Sequence, residues 1–460
     1  MKLTQEVVTR CQSIQFPALS SEEKDWVKYL LLDFIAVAAR GSLYESGIQA
    51  QQCARMLSQN GDIAFPIIGT EFKADPSSAA LAVGTAAHSL ELDDVTNEAS
   101  LHAGVTVFSA ALTASAFGRG STSDFFEAVI AGYELTSRLG MAVNPAEHYR
   151  RGFHPTGTCG VFGAALAAAK MLGADEKQLL YALGIAGSQA SGSMEFLSEG
   201  AFTKRFNAGW AAHSGVIAAV LASQGFIGPR TSIEGRYGFL NAYSPAPLPD
   251  KLAELWGSPY MITRTSIKPH ACCRYKQGPI DGILKIMSEN NLQAQDIKKV
   301  TLGVLEAGFP LVAEPIEAKK LPKTIVEAQF SMPFGAAVAM AHGKASLDQY
   351  TDQNLSDPEI KDLMERVECV KDPEIEKDFP KKWPASVQIS TKQGLFYTVR
   401  IDYPKGDPEN PLSWSELEDK FHELLKPVYS DKQRLAIINN VRGLDKDKNL
   451  DRFIMLLCKQ

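Results

Sequence analysis

The chain has 460 residues, 45% apolar and 22% charged, an ordinary globular composition for two or three domains that excludes wholesale disorder. Lysine plus arginine total 47 against 53 aspartate plus glutamate, a formal charge of −6, so the charge balance disfavours nucleic acid as a partner. A small anionic substrate stays open, because a few local cations decide that.

In chain order, the N-terminal MKLTQEVVTRCQSIQF lacks the continuous apolar run of a signal peptide. Apolar stretches such as residues 34–39 fall short of the ~20 residues of a spanning helix. The expected setting is therefore cytoplasmic, without a membrane partner. Ser20 or Ser21 caps a predicted helix over 22–39, where Trp26, Tyr29, Leu30, Phe34 and Val37 recur at helical spacing. Small residues then dominate, in runs at 79–87, 103–117, 160–173, 182–192 and 211–222. Such runs predict closely approaching interior helices of a bundle. Near residue 260 the pattern changes to β-type stretches at 299–304, 367–370, 385–390 and 395–401. The last two are joined by a hairpin turn at 391–394, and a helix is expected over 325–341. Amphipathic helix returns from Ser413 and ends in a segment at 449–457. The seven cysteines are scattered without a CxxC pair, which argues against a disulfide framework, a zinc ribbon or an iron–sulfur cluster.

Four clusters carry candidate chemistry. Residues 88–102 hold His88, Glu91, Asp93, Asp94, Glu98 and His102, a concentration of proton-transfer groups, or a solvated helix end with an aspartate cap. No recognised metal-ligand spacing occurs there. Residues 150–157 place His154 in a loop beside Arg150 and Arg151, ahead of a helix starting near Thr158, an arrangement that suits an anion or simply packs the loop. Lys204 and Arg205 precede another small-residue helix, where a buried lysine can hold a carboxylate and a surface one does nothing special. Residues 267–275 bring Lys268, Cys272 and Cys273 to the inferred domain junction, a common place for a pocket.

Together these segments resemble the MmgE/PrpD family. The matching strings are 32–38, Glu91-Leu92-Asp93-Asp94 with Glu98-Ala99 and Leu101-His102, Gly152-Phe153-His154, Lys204-Arg205, and Ile267-Lys268 with Ala271-Cys272-Cys273. The resemblance agrees with a mainly α fold, a large all-helical domain built from both chain ends (1–264 and 405–460) plus a smaller inserted α+β lid domain (265–404). It implies a homodimer, no cofactor and no metal, and a small di- or tricarboxylate substrate. The implied chemistry is a lyase reaction beside a carboxylate, of the 2-methylcitrate dehydratase or cis-aconitate decarboxylase type. Epimerisation of an amino- or imino-dicarboxylate, of the iminodisuccinate epimerase type, is the alternative.

Matched by motif, His102, His154, Lys204 and Asp93 are the expected catalytic residues, and Arg205, Lys268, Cys273, Glu91 and Thr96 the expected substrate contacts. Lys204 would bind a carboxylate, the two histidines would trade the proton and polarise the carboxylate that becomes enolate-like, and Asp93 would orient or tune a histidine. Several positions depart from the decarboxylases: Glu91 and Val95 or Thr96 stand where the animal form carries aspartate and threonine, Phe334 where the decarboxylases carry a tyrosine, and Cys273 where the animal form carries a histidine. The family follows from the motifs, and the identity of the acid does not.

Overall fold

A computed structural model describes residues 2–58, 62–257 and 259–459. The chain divides into two compact units. The first comprises Met1–Ser89, Asp93–Thr265 and Ser413–Gln460, and the second Leu90–Leu92 and Ser266–Leu412.

The first unit is helical, and both ends of the chain build it. Helix Ser21–Gly41 begins at a capping box: Ser20 Oγ accepts from the Glu23 amide at 3.1 Å, and Glu23 returns the bond to the Ser20 amide at 2.7 Å. Its buried Asp33 accepts from Lys420 at 2.5 Å, which ties it to the C-terminal helix Trp414–Leu425. The Ala-rich runs form the buried helices Pro76–Ala87, Gly104–Ala114, Gly160–Met171, Glu176–Gly187 and Thr203–Ser223.

Glycine permits one crossing that matters to the site. A Cβ on Gly209 would lie 2.2 Å from Thr85 Oγ1 and 2.3 Å from the Leu81 carbonyl. The backbones of helices Pro76–Ala87 and Thr203–Ser223 therefore touch. The first ends at His88, one turn past Gly84, and the second begins at Thr203, with Lys204 just over one turn before Gly209.

Three expectations for this unit need correction. The run at 182–192 ceases to be helical after Gly187, and residues 188–192 form an irregular loop in which Gly192 has φ +151. Residues 150–157 are not one loop. Helix Pro145–Arg150 ends there and the short helix Pro155–Thr158 begins, because a proline at the first helical position sacrifices no hydrogen bond. Lys204 and Arg205 lie inside the first turn of their helix rather than ahead of it.

The second unit holds a four-stranded sheet in the order Val367–Lys371, Ile297–Val304, Ala385–Thr391, Phe396–Ile401. The first pair is parallel and the other two are antiparallel. The hairpin turns at Gly394, φ +83. The helix expected over 325–341 is two pieces, Ile325–Gln329 and Met332–His342. Ser331 caps the second by accepting from the Phe334 amide at 3.1 Å, and Pro333 has no amide to extend the first. The apolar periodicity runs through this break and hides it. All seven cysteines are free thiols. Among the described residues no helix is long and apolar enough to cross a membrane.

Candidate active site

The first unit gathers three imidazoles around one carboxylate. His88 caps the C-terminus of helix Pro76–Ala87. The chain returns to this unit at Asp93, whose Oδ2 lies 2.8 Å from His88 Nδ1 and 3.0 Å from His102 Nδ1. His102 is held by a tight turn: Thr96 and Leu101 pair their backbones, Ser100 takes φ +53, and the His102 amide donates to Thr156 Oγ1 at 3.2 Å.

His102 Nδ1 also lies 2.6 Å from the Asp94 carbonyl. A carbonyl only accepts, so Nδ1 carries the proton and the lone pair of the neutral ring resides on Nε2. His88, Asp93 and His102 are close enough together to hold a metal ion. An ion bound through these Nδ1 atoms would have to expel the protons that now join the rings to oxygen. The trio is joined by hydrogen bonds from the two rings to Asp93 Oδ2.

His154 completes the cluster from the N-terminus of Pro155–Thr158. Its amide donates to the Gly192 carbonyl at 2.9 Å. Its ring lies parallel to that of His88, 5.7 Å away at an interplanar angle of 13°. Asn207 Nδ2 donates to the Ser193 carbonyl at 3.2 Å and faces His154 Nδ1 at 3.4 Å. An amide nitrogen only donates, so Nδ1 accepts and the ring proton sits on Nε2. Burial first, then the charges of His88, Lys204 and His102, push the His154 pKa well below 6.5. His154 is therefore a neutral N–H donor at pH 7. Lys204 and Asn207, three residues apart, share the helix face turned to His154.

Asp94, whose carbonyl meets His102, turns its carboxyl the other way. Its Oδ2 accepts from the Tyr133 hydroxyl at 2.6 Å and its Oδ1 from the Gly104 amide at 3.2 Å. A Cβ on Gly104 would fall 2.7 Å from that carboxyl, so glycine is what admits the group to the start of helix Gly104–Ala114. Burial raises the Asp94 pKa to about 7, the charges of Asp93 and Asp33 add to the rise, and the Tyr133 bond opposes it.

The sign of the resulting pH dependence follows. The unfolded chain ionises Asp94 near 3.8, while the folded protein keeps the proton to about pH 7. The folded state thus binds the extra proton between these values. This favourable contribution is complete below the lower value and is lost as pH rises through the upper one. Asp94→Asn removes the titration while keeping both bonds, with Oδ1 still accepting from Gly104 and Nδ2 donating to the Tyr133 oxygen. Thermal melts across pH 5–8 should show the variant gaining on the parent as pH rises. A difference that stays constant over this range would contradict the assignment.

The remaining expected contacts separate. Arg205, turned about 100° from Lys204 along the helix, donates to Ser46 Oγ at 3.1 Å, and Ser46 bonds Ser89 at 2.8 Å. Thr96 Oγ1 lies between the hydroxyls of Ser137 and Thr265, at 3.2 and 3.3 Å, a bonding pattern of the scaffold. Arg150 pairs with Glu147 at the surface and Arg151 stacks on Phe153, so neither arginine supplies His154 with an anion site.

Glu91, Lys268 and Cys273 belong to the second unit. Lys268 Nζ lies 3.9 Å from Glu91 Oε2, both side chains buried. The Cys273 amide donates to the Gln329 carbonyl at 3.1 Å. Phe334 is buried there against the Tyr350 ring, 5.5 Å away.

Two members of the cluster were not singled out as site residues from sequence. His88 lay in view within the acidic segment, but nothing linear showed that its ring shares Asp93 with His102. Asn207 becomes readable once the helix is started at Thr203, since position 207 then falls one turn from Lys204 on the same face.

Comparison with known proteins bears on this geometry. The sequence model of the MmgE/PrpD N-terminal domain matches residues 5–251, and that of the C-terminal domain matches residues 270–444. A cis-aconitate decarboxylase-like protein of Aspergillus oryzae is 27% identical over 452 residues, covering 94% of this chain and 92% of the relative. The human cis-aconitate decarboxylase is 25% identical over 453 residues, covering 96% and 92%. A mitochondrial 2-methylcitrate dehydratase of Yarrowia lipolytica is 23% identical over 171 residues, covering 35% of this chain and 32% of the relative.

Proposed function

The chain belongs to the MmgE/PrpD family, and from that premise we propose that it is a lyase acting on a small di- or tricarboxylate, by dehydration or decarboxylation at a carbon next to a carboxylate. The observation that carries the reading is the pairing of tautomers in one cluster. His102 offers Nε2 as the proton-transfer atom, backed by Asp93, and His154 offers a fixed neutral Nε2–H.

Both reactions place negative charge on the carboxylate beside the reacting carbon. A neutral N–H donor in a buried site stabilises that charge without reorganisation. In dehydration, His102 Nε2 takes the proton from carbon and passes it to the departing hydroxyl, which leaves as water and returns the ring to neutral. In decarboxylation, His102 first takes a proton from solvent on Nε2; the carbon–carboxylate bond breaks, CO₂ leaves with the electron pair kept on carbon, and His102 gives that proton to carbon and is neutral again. The Lys204 ammonium binds a second carboxylate of the substrate. Of the two roles expected of the histidines, His154 thus takes the polarising one and His102 the proton transfer. Homologues named as decarboxylases and a dehydratase support the reaction class.

The test is incubation with cis-aconitate, 2-methylcitrate and iminodisuccinate in deuterated water, followed by NMR and mass spectrometry. Loss of CO₂ with deuterium entering the product, or loss of water, is expected with one of the first two. Deuterium uptake at unchanged composition with iminodisuccinate alone would make the protein an epimerase and overturn the lyase reading. Turnover of none of them would overturn it as well.

A further inference from the structure

We infer that His88 is the positioning residue of this site: it holds Asp93 by its Nδ1–H and, through Asp93, fixes the aim of the His102 ring, whose tautomer the Asp94 carbonyl already sets. The inference rests on the lyase reading for its kinetic consequence, while its structural content stands apart from that reading.

One oxygen, Asp93 Oδ2, receives both imidazoles, His88 at 2.8 Å and His102 at 3.0 Å. A carboxylate oxygen has two lone-pair directions, and two N–H donors fill them. With one of these donors removed, Asp93 is held less firmly, and one of the two acceptors that aim the His102 ring shifts with it. The His88 ring is fully buried between the other two, edge-on to His102 with centroids 4.8 Å apart and parallel to His154 at 5.7 Å.

The far nitrogen, Nε2, is buried with no hydrogen-bond partner among the described residues. A buried polar atom left unpaired costs stability that an apolar ring of the same shape would not. At this position phenylalanine would pack without that cost. The feature that distinguishes histidine here is the Nδ1–H directed at Asp93. Backbone geometry supports the aim, since the His88 amide still donates to the Gly84 carbonyl at 3.2 Å and so continues the helix that Gly84 docks against Gly209.

The experiment uses the full chain with ¹⁵N-labelled histidine. In the unliganded wild type, long-range imidazole spectra should show both His88 and His102 with the proton on Nδ1. An Nε2–H tautomer at His88 would overturn the inference without recourse to any variant. His88→Phe keeps the ring and removes the donor; the His102 proton stays on Nδ1, held by the Asp94 carbonyl at 2.6 Å, and the His102 ring signals should shift and broaden as its aim loosens. With whichever acid is turned over, kcat should fall about 10–100-fold, as for loss of one charge-assisted hydrogen bond, with KM changing less than about threefold. His88→Asn returns an N–H at short reach and should recover most of that loss. Wild-type kcat and unchanged His102 signals in His88→Phe would also overturn the inference. If the wild type turns over no candidate acid, the lyase reading fails, and the spectra still decide the role of His88.

Discussion

Replacing His102 with asparagine is expected to lower kcat by about 10²–10⁴-fold, the range for removing a general acid–base group, with the fold intact. Asparagine keeps an N–H near the position of Nδ1, where the Asp94 carbonyl and Asp93 Oδ2 receive it at 2.6 and 3.0 Å. It has nothing at the position of Nε2, the nitrogen that carries the lone pair once the proton sits on Nδ1. The His102 side chain is 12% exposed, so truncation leaves no sealed cavity. Steady-state kinetics together with circular dichroism separate the two effects. A variant that retains activity within about tenfold of wild type would assign the proton transfer elsewhere.

Lys204→Met should cost about 10²-fold in kcat/KM, the worth of a charge-assisted bond to a carboxylate of roughly 1.5–3 kcal/mol. Methionine keeps much of the aliphatic stem and the first-turn helix position, so melting should hardly change. A second readout distinguishes charge from shape. The Lys204 charge is among the causes that hold the His154 pKa down, and its removal should let that pKa rise, visible in a histidine NMR titration. Unchanged kcat/KM at low salt, where exposed charges act most strongly, would exclude Lys204 from substrate binding.

Much of the scaffold can be read from sequence because its signals are local. Ser20 with Glu23 spells a capping box, the alanine runs spell buried helices, and the turn at 391–394 spells a hairpin. His102, His154 and Asp93 stand in recognisable strings, and the fold brings them together with Lys204. The losses occur where meaning depends on a partner distant in sequence. Thr96 sits two residues from Asp94, yet its hydroxyl faces Ser137 and Thr265. Arg205 adjoins Lys204, but one residue of helix turns it to Ser46. His88 carries no motif of its own, and only the crossing at Gly84 and Gly209 with the return of the chain at Asp93 gives its ring a task. The break at 330–331 is invisible to periodicity because both flanking helices are apolar, and Ser331 with Pro333 is the signal that identifies it.

The most direct test of the whole account is a crystal structure with a non-reacting tricarboxylate bound. The account predicts one carboxylate on Lys204 Nζ, a second receiving the Nε2–H of His154, and the carbon between them within reach of His102 Nε2. A tricarboxylate held elsewhere, touching neither Lys204 nor His154, would contradict it.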